Sequence, residues 1–554
     1  MDKEYNKYKI PQKKKSFNEI CFPKNYELQL PQKFVPKYIG PKSINKHILV
    51  FWQIGSGKTC CAIRIAEEWR GKRNIIIVLP ASLRGNFYNE LRTQCAGNNY
   101  ITENEREILK KLDPTDKEYK KIIETSDERI MKYYKIYSYN KFLSLAEKKK
   151  INLKNSLLII DEIQNIVSEN GKYYEIIYDT IHNAPQDLRI ALLSATPMFD
   201  KPSEIALIMN LLRIPTELPT GVQFDKMFVS IEKDDDGKLV YNMKNVDIFK
   251  DSIRGVISYF RGAPAYTFPE KHIKYVKCEM SEFQYRSYLT VLKSEPGEIK
   301  GFKHGNITKL PNNFFIGTRV ISNISFPNRD INEDGFNSFD GKNIMDNLEK
   351  YSTKFAKILK KINSCNGTVF VYSNFKEYGG IKSFTRVLEN YGYKNFMNHS
   401  IGKKRYAIWS GDEKPEYRET MRNIFNLTEN STGKYIKVIC GSPAIKEGVS
   451  LYNVQQVHVL EPMWNIARLE QVIGRAVRYC SHKNMPKDMR YVNIYIYMAV
   501  HKNEKMTVDE YIADLAIQKY KLVNKFEQTL KEIAVDCELF KYGNEQDGKI
   551  KCDV

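Results

Sequence analysis

The sequence predicts an α/β fold: two tandem parallel sheets covered by helices, a helical and irregular connector between them, and a C-terminal helical tail. Three observations predict it. From His47 onward, short apolar runs alternate with helix-length segments, as strands and crossover helices do in a parallel sheet. A second series of the same kind begins at Thr368. At the head of the first series, Trp52-Gln53-Ile54-Gly55-Ser56-Gly57-Lys58-Thr59 joins the apolar run from His47 to Phe51 to the helix-compatible run from Cys60 to Trp69.

In chain order, residues 1–40 are polar and punctuated by proline, with Lys13, Lys14 and Lys15 clustered, and read as an arm wrapping the first domain. Residues 41–220 form that domain. Its strands are expected at Ile48 to Phe51, Asn74 to Leu79, Tyr134 to Tyr137, Leu157 to Ile160 and Arg189 to Leu193. The charged stretch from Glu103 to Lys132 reads as a helical surface insertion. Residues 202–212 look helical, after which Pro215, Pro219 and Gly221 break the pattern. Residues 221–347 show no clean alternation and read as a connector with its own helices and long loops, including an exposed turn at Asp234 to Gly237. The second domain, 348–500, has strands expected at Thr368 to Tyr372, Tyr406 to Trp409, Ile436 to Cys440, Val457 to Leu460 and Val492 to Tyr497. In the tail, 501–554, Tyr511, Leu515, Leu522, Phe526, Leu530 and Ile533 fall on one helix face, which docks either on a globular domain or in a partner's groove.

Composition narrows the class. With 554 residues, 42% apolar and 28% charged, the balance is that of ordinary globular domains, and the longest apolar runs are far too short to cross a bilayer. The N-terminus lacks the apolar core of a secretory signal, so an intracellular, reducing location is expected. A net charge of +21 points to a polyanionic partner, nucleic acid first, against the plainer reading of a lysine-rich solvated surface. The ten cysteines are scattered without metal-ligand spacing; neither zinc nor a disulfide framework is expected, and Cys60 and Cys61 read as small core residues.

The chemistry concentrates at four places. Gly55, Ser56 and Gly57 make a loop whose backbone N–H groups can face phosphate oxygens, backed by the start of the next helix. There Lys58 reaches the β- and γ-phosphates of ATP and the Thr59 hydroxyl holds Mg²⁺. The apolar run Leu157 to Ile160, expected beside the phosphate-loop strand, ends in Asp161 and Glu162, one carboxylate for Mg²⁺ and one to deprotonate the attacking water. Ser194, Ala195 and Thr196 end another strand with hydroxyls that can bond the acidic strand end and pass on the state of the nucleotide. Gln471, Arg475 and Arg478 are spaced for one helix face, where a guanidinium pair fits a γ-phosphate.

This order of motifs resembles the superfamily 2 helicases and translocases over roughly Phe34 to Phe540. Lys58 and Thr59, Asp161 and Glu162, Ser194 to Thr196 and Gln471 to Arg478 match the first, second, third and sixth motifs; Val369 to Phe375 and Gly441 to Pro443 with Glu447 and Gly448 look like the fourth and fifth. Trp52 and Gln164 depart from the usual pattern, Gln164 standing where many relatives have His or Asp and so leaving open which coupling contacts are kept. Further matches include Met280 and Ser281, Ile321 to Asn323, His458 to Trp464, Ser481 and His482, and Ala534 to Cys537. They resemble the nucleoside triphosphatase I and early transcription factor small-subunit helicases of poxviruses and other large DNA viruses. The resemblance implies two RecA-like domains with ATP in the cleft between them, and a nucleic-acid-dependent ATPase acting in viral transcription. It also implies a viral RNA polymerase or a larger transcription-factor subunit as partner, and a place in the virion and host-cell cytoplasm. Nucleic-acid contacts are expected by motif position at Pro80, Ala81 and Ser82, at Ser138 and Tyr139, and at Ser373 and Asn374. The rival expectation is an ATP-gated DNA-binding initiation subunit with little or no translocation.

Overall fold

Contacts within the chain divide it into two compact units, residues 1–265 with 521–554, and residues 266–520. The computed structural model describes residues 3–13, 15–113, 116–169, 171–233, 235, 239–295, 315–399, 404–446, 449–545, 548 and 550–553. Most of the expected acidic turn, together with Glu447 and Gly448, lies outside them.

The first unit is built on β1 (His47–Trp52), β2 (Asn74–Leu79), β3 (Tyr134–Ser138), β4 (Ser156–Ile160) and β5 (Arg189–Ser194). Four of these are runs of Ile, Leu and Val buried along nearly their whole length, as strands covered on both faces must be. A hairpin of β6 (Val229–Lys233) and β7 (Leu239–Met243) precedes β8 (Ile257–Phe260). The parallel sheet runs β3-β2-β4-β5-β1-β8. The Leu30–Tyr38 helix carries Phe34 and Val35 into the core beside the Lys58–Trp69 helix, so the expected N-terminal arm includes a core element. The end of the chain belongs here too. Phe526 packs on Phe224 and Phe249, ring centroids 5.7 and 5.4 Å apart, and Phe540 lies 5.7 Å from Phe34 and 5.8 Å from Phe260. Of the two placements open for the tail, its apolar face takes the globular one.

The second unit has a seven-stranded parallel sheet, ordered β11-β12-β13-β10-β14-β15-β9. Its strands are β9 (Glu270–Glu279), β10 (Thr368–Tyr372), β11 (Lys394–Asn395), β12 (Arg405–Trp409), β13 (Val438–Gly441), β14 (Val454–Val459) and β15 (Tyr491–Val500). One face is covered by the Thr353–Asn363 and Ile381–Asn390 helices, the other by Pro415–Phe425 and Ile466–Ile473. Lys354 and Asp509, both fully buried, form an ion pair of 2.6 Å at the edge of this core.

Three sequence expectations need correction. The connector, expected to hold helices and long loops, also holds β6 to β9, of which β8 and β9 complete one large sheet each. Four residues in β8 are too few to show a period, and β9 is a charged edge strand with most of both faces wet. The strand carrying Asp161 is not the neighbour of the phosphate-loop strand that the sequence leads one to expect, because β5 lies between them. Against the expectation of no disulfide framework, Cys60–Cys95 and Cys537–Cys552 are disulfides. Spacing could not reveal the first pair, because the Gln94–Ala96 turn reaches the Lys58–Trp69 helix only through tertiary packing.

Candidate nucleotide site

The site lies at the C-terminal ends of β1, β4 and β5, all in the first unit. Trp52 ends β1 fully buried, its indole N–H donating to the Ser258 hydroxyl at 2.8 Å, so it is a core residue before the loop begins. Gly55 and Gly57 take φ of 82° and 84°, the left-handed region that side chains avoid. A Cβ on Gly57 would come within 2.4 Å of Gln32 Nε2, which donates to the Gly57 carbonyl at 3.2 Å. Gln32, which sequence reading passed over, thus holds the outside of the loop; its lone signal was a polar residue on an otherwise apolar helix face. The Ser56 hydroxyl is buried without a hydrogen-bond partner among the described residues.

Lys58 opens the helix and points across β5 to the end of β4, where its Nζ stands 3.6 Å from Glu162 Oε1. The helix crosses the faces of both β4 and β5, which is how the acid reaches the lysine although the strands are not neighbours. Glu162 has φ of 53°, a sharp turn that lifts its side chain off the strand end. Its backbone N–H donates to Asp161 Oδ1 at 3.0 Å. Tyr139 donates its hydroxyl to the carbonyls of Asp161 and Glu162, tying the β3 end to the acidic turn. Burial, and then the adjacent charge of Glu162, push the Asp161 carboxyl above the usual range. A divalent cation would relieve both, and a carboxylate with the half-buried Thr59 hydroxyl is the hard-oxygen donor set that Mg²⁺ takes.

Gln164 accounts for its own departure from the motif. Its amide donates to Glu162 Oε2 at 2.6 Å, and its carbonyl oxygen accepts the Ser194 hydroxyl at 2.6 Å. Ser194 Oγ in turn accepts the Thr196 N–H at 3.0 Å. The expected contact between the hydroxyl strand end and the acid therefore runs through one intervening side chain.

The other candidates divide. Ser82 is exposed beyond β2, whereas Pro80 is buried; Ser138 caps the Tyr139–Glu147 helix, its Oγ accepting the Lys141 N–H at 3.4 Å. In the second unit, Ser373, expected to face a bound strand, is fully buried with its hydroxyl held by Glu461, leaving Asn374 as the half-buried member of that pair. Arg475 and Arg478 do not share a helix face, since the Ile466–Ile473 helix, which contains Gln471, ends before them. They converge all the same: both guanidinium groups donate to the Val449 carbonyl, at 3.3 and 3.0 Å.

A glycine loop leading into a lysine-headed helix, with a paired Asp-Glu strand end on the same parallel sheet, defines a P-loop nucleoside triphosphatase. Residues 34–205 match the DEAD/DEAH box helicase family, 353–480 the helicase conserved C-terminal domain, and 482–545 the nucleoside triphosphatase I C-terminal family. A protein of Acanthamoeba polyphaga mimivirus provisionally named as an ATP-dependent RNA helicase is 50% identical, over 100% of this chain and 97% of its own length. A second protein of that virus, named in the same way, is 26% identical over 98% of this chain and 78% of its own. The termination factor NPH-I homolog of African swine fever virus is 26% identical over 91% of this chain and 78% of its own length. The chain belongs to this helicase family of large DNA viruses, and its activity is that of an ATP-dependent helicase or nucleoside triphosphatase.

Proposed function

We propose that the chain is a nucleic-acid-stimulated ATPase that moves along DNA or RNA during viral transcription. The observation that supports it best is the continuous relay Lys58, Glu162, Gln164, Ser194, which joins the phosphate-binding lysine to a second strand end in three contacts of 3.6, 2.6 and 2.6 Å. In this reading Gly55, Ser56 and Gly57 present backbone N–H groups to the phosphates of ATP, and Lys58 leaves Glu162 to neutralise the γ-phosphate. Glu162, so released, takes a proton from the attacking water. Thr59 and Asp161 would hold Mg²⁺, which neutralises phosphate charge. Gln164 senses the movement of Glu162 and passes it to Ser194 and Thr196. Arg475 and Arg478 answer to the γ-phosphate, with Gln471 beside them. Ser82, Ser138 and Asn374 contact the strand.

The name of one relative, a termination factor homolog, supports a transcriptional setting. The partner in this reading is a viral RNA polymerase or a larger transcription-factor subunit. Turnover of ATP measured with single-stranded DNA, duplex DNA and RNA as separate activators tests the reading, together with displacement of a third strand from a DNA triplex. Strong stimulation by at least one polymer and ATP-dependent displacement are expected. Turnover indifferent to all three polymers overturns it; stimulation without displacement favours the ATP-gated initiation subunit.

A further inference from the structure

β9 closes the second unit's sheet on one side, and among the described residues no strand pairs with its outer edge. It pairs with β15 over ten residues, from Glu270 opposite Tyr491 to Glu279 opposite Val500. The Glu270 N–H donates to the Arg490 carbonyl and the Met280 N–H to the Val500 carbonyl, both at 2.9 Å. These two bonds fix the parity of the strand: even-numbered residues bond β15, and the backbone groups of Ile273, Tyr275 and Lys277 face outward. Among the described residues the Lys277 carbonyl has a partner, Lys357 Nζ at 2.7 Å, and no strand covers the remainder. Ile273 and Tyr275 are 45% and 40% exposed along the same stretch.

A row of lysines lies beside this edge. Lys361, on the Thr353–Asn363 helix, sits over the Tyr495 ring at 4.2 Å, and Tyr495 is the register partner of Lys274. Burial and the nearby charges of Lys274, Lys357 and Lys360 lower the Lys361 pKa. Among the described residues none of these four lysines makes an ion pair, while Lys271 and Lys277 on the opposite face have Glu470 and Glu510 at 3.9 and 3.3 Å. Lysine on an edge strand ordinarily blocks pairing. Here three of the four come from the neighbouring helix: Lys357 stands at the edge itself, on the Lys277 carbonyl, and Lys361 one strand in, over Tyr495, so that their charge faces an added strand without occupying its place.

We propose that β9 is a docking edge for an acidic segment of another protein, bound in extended form as an eighth strand. Nucleic acid would satisfy the lysines, but an acidic peptide satisfies the lysines, the outward backbone groups and the exposed Ile273 and Tyr275 together.

The test uses the full chain and a fluorescein-labelled peptide of alternating glutamate and valine or threonine, followed by fluorescence anisotropy. Saturable binding is expected. The double variant K274E/K361E should weaken it tenfold or more with ATP turnover unchanged. The same peptide methylated on alternate amide nitrogens, which keeps its charge and removes the strand pairing, should lose tenfold or more against the unaltered protein. Absence of saturable binding, equal affinity for the methylated peptide, or displacement of the peptide by a single-stranded oligonucleotide of equal charge overturns the proposal, the last in favour of nucleic acid.

Discussion

Lys58 Nζ lies 3.6 Å from Glu162 Oε1, so the proposed phosphate-binding cation and the proposed catalytic base neutralise each other in this structure. Lys58→Ala should therefore abolish turnover together with most nucleotide affinity. Glu162→Gln keeps the side chain's shape and should keep nucleotide binding while lowering kcat by about 10²–10⁴. Nucleotide binding by fluorescence, beside phosphate release, separates the two. Unchanged turnover in Glu162→Gln would remove the assignment of the base.

Gln164 holds Glu162 with its amide and Ser194 with its carbonyl oxygen. Gln164→Ala breaks both bonds, yet leaves the Lys58–Glu162 pair and the loop in place. Stimulated ATP turnover should survive within about tenfold, because the base loses a positioning contact and not its carboxylate. Strands displaced per ATP should fall further than turnover does. If both fall in proportion, Gln164 serves the chemistry and not the coupling.

Asp536 is buried with its carboxylate facing the Ser258 hydroxyl and, at 2.9 Å, the Tyr259 N–H. Burial pushes its pKa up to about 7, against the pull of those two donors. The unfolded chain titrates this group near 3.8, so between that value and about 7 the folded chain binds more protons than the unfolded one. Stability from this group is present in full below the unfolded value and is lost as pH rises to about 7, by up to about 4 kcal/mol. Asp536→Asn should flatten that slope, gaining on the parent protein at pH 8 relative to pH 5 in denaturant titrations. A difference independent of pH would mean that Asp536 is ionised in the fold.

Cys60 follows Thr59 directly and is bonded to Cys95, 35 residues on. Closing a loop of that length is worth about 4 kcal/mol by the chain-entropy account. Cys95→Ser should lower the melting temperature and shrink the further drop caused by dithiothreitol, the remainder coming from the other disulfides, Cys537–Cys552 among them. Equal melting of the parent protein with and without the reductant would show that the Cys60–Cys95 bond does not stabilise the fold.

Part of this was legible because it rests on local order. Runs such as Ile75 to Leu79 and Leu157 to Ile160 must be interior strands, and Gly55 to Thr59 carries its chemistry within one turn. Two kinds of feature were not. β9 pairs with a strand more than two hundred residues away, and its wet faces leave no hydrophobic period to read. Gln32, Cys95 and Asp536 act on residues that only folding brings near.

By itself the sequence determined the class of protein, because the pattern of buried runs and the residues closing each strand are set by neighbours along the chain. Tertiary structure decided the strand order, with β5 between the loop strand and the acid strand, and it decided that Gln164 bridges Glu162 to Ser194. Those depend on how helices cross a twisted sheet, a matter of packing among segments far apart in the chain, which no local pattern encodes.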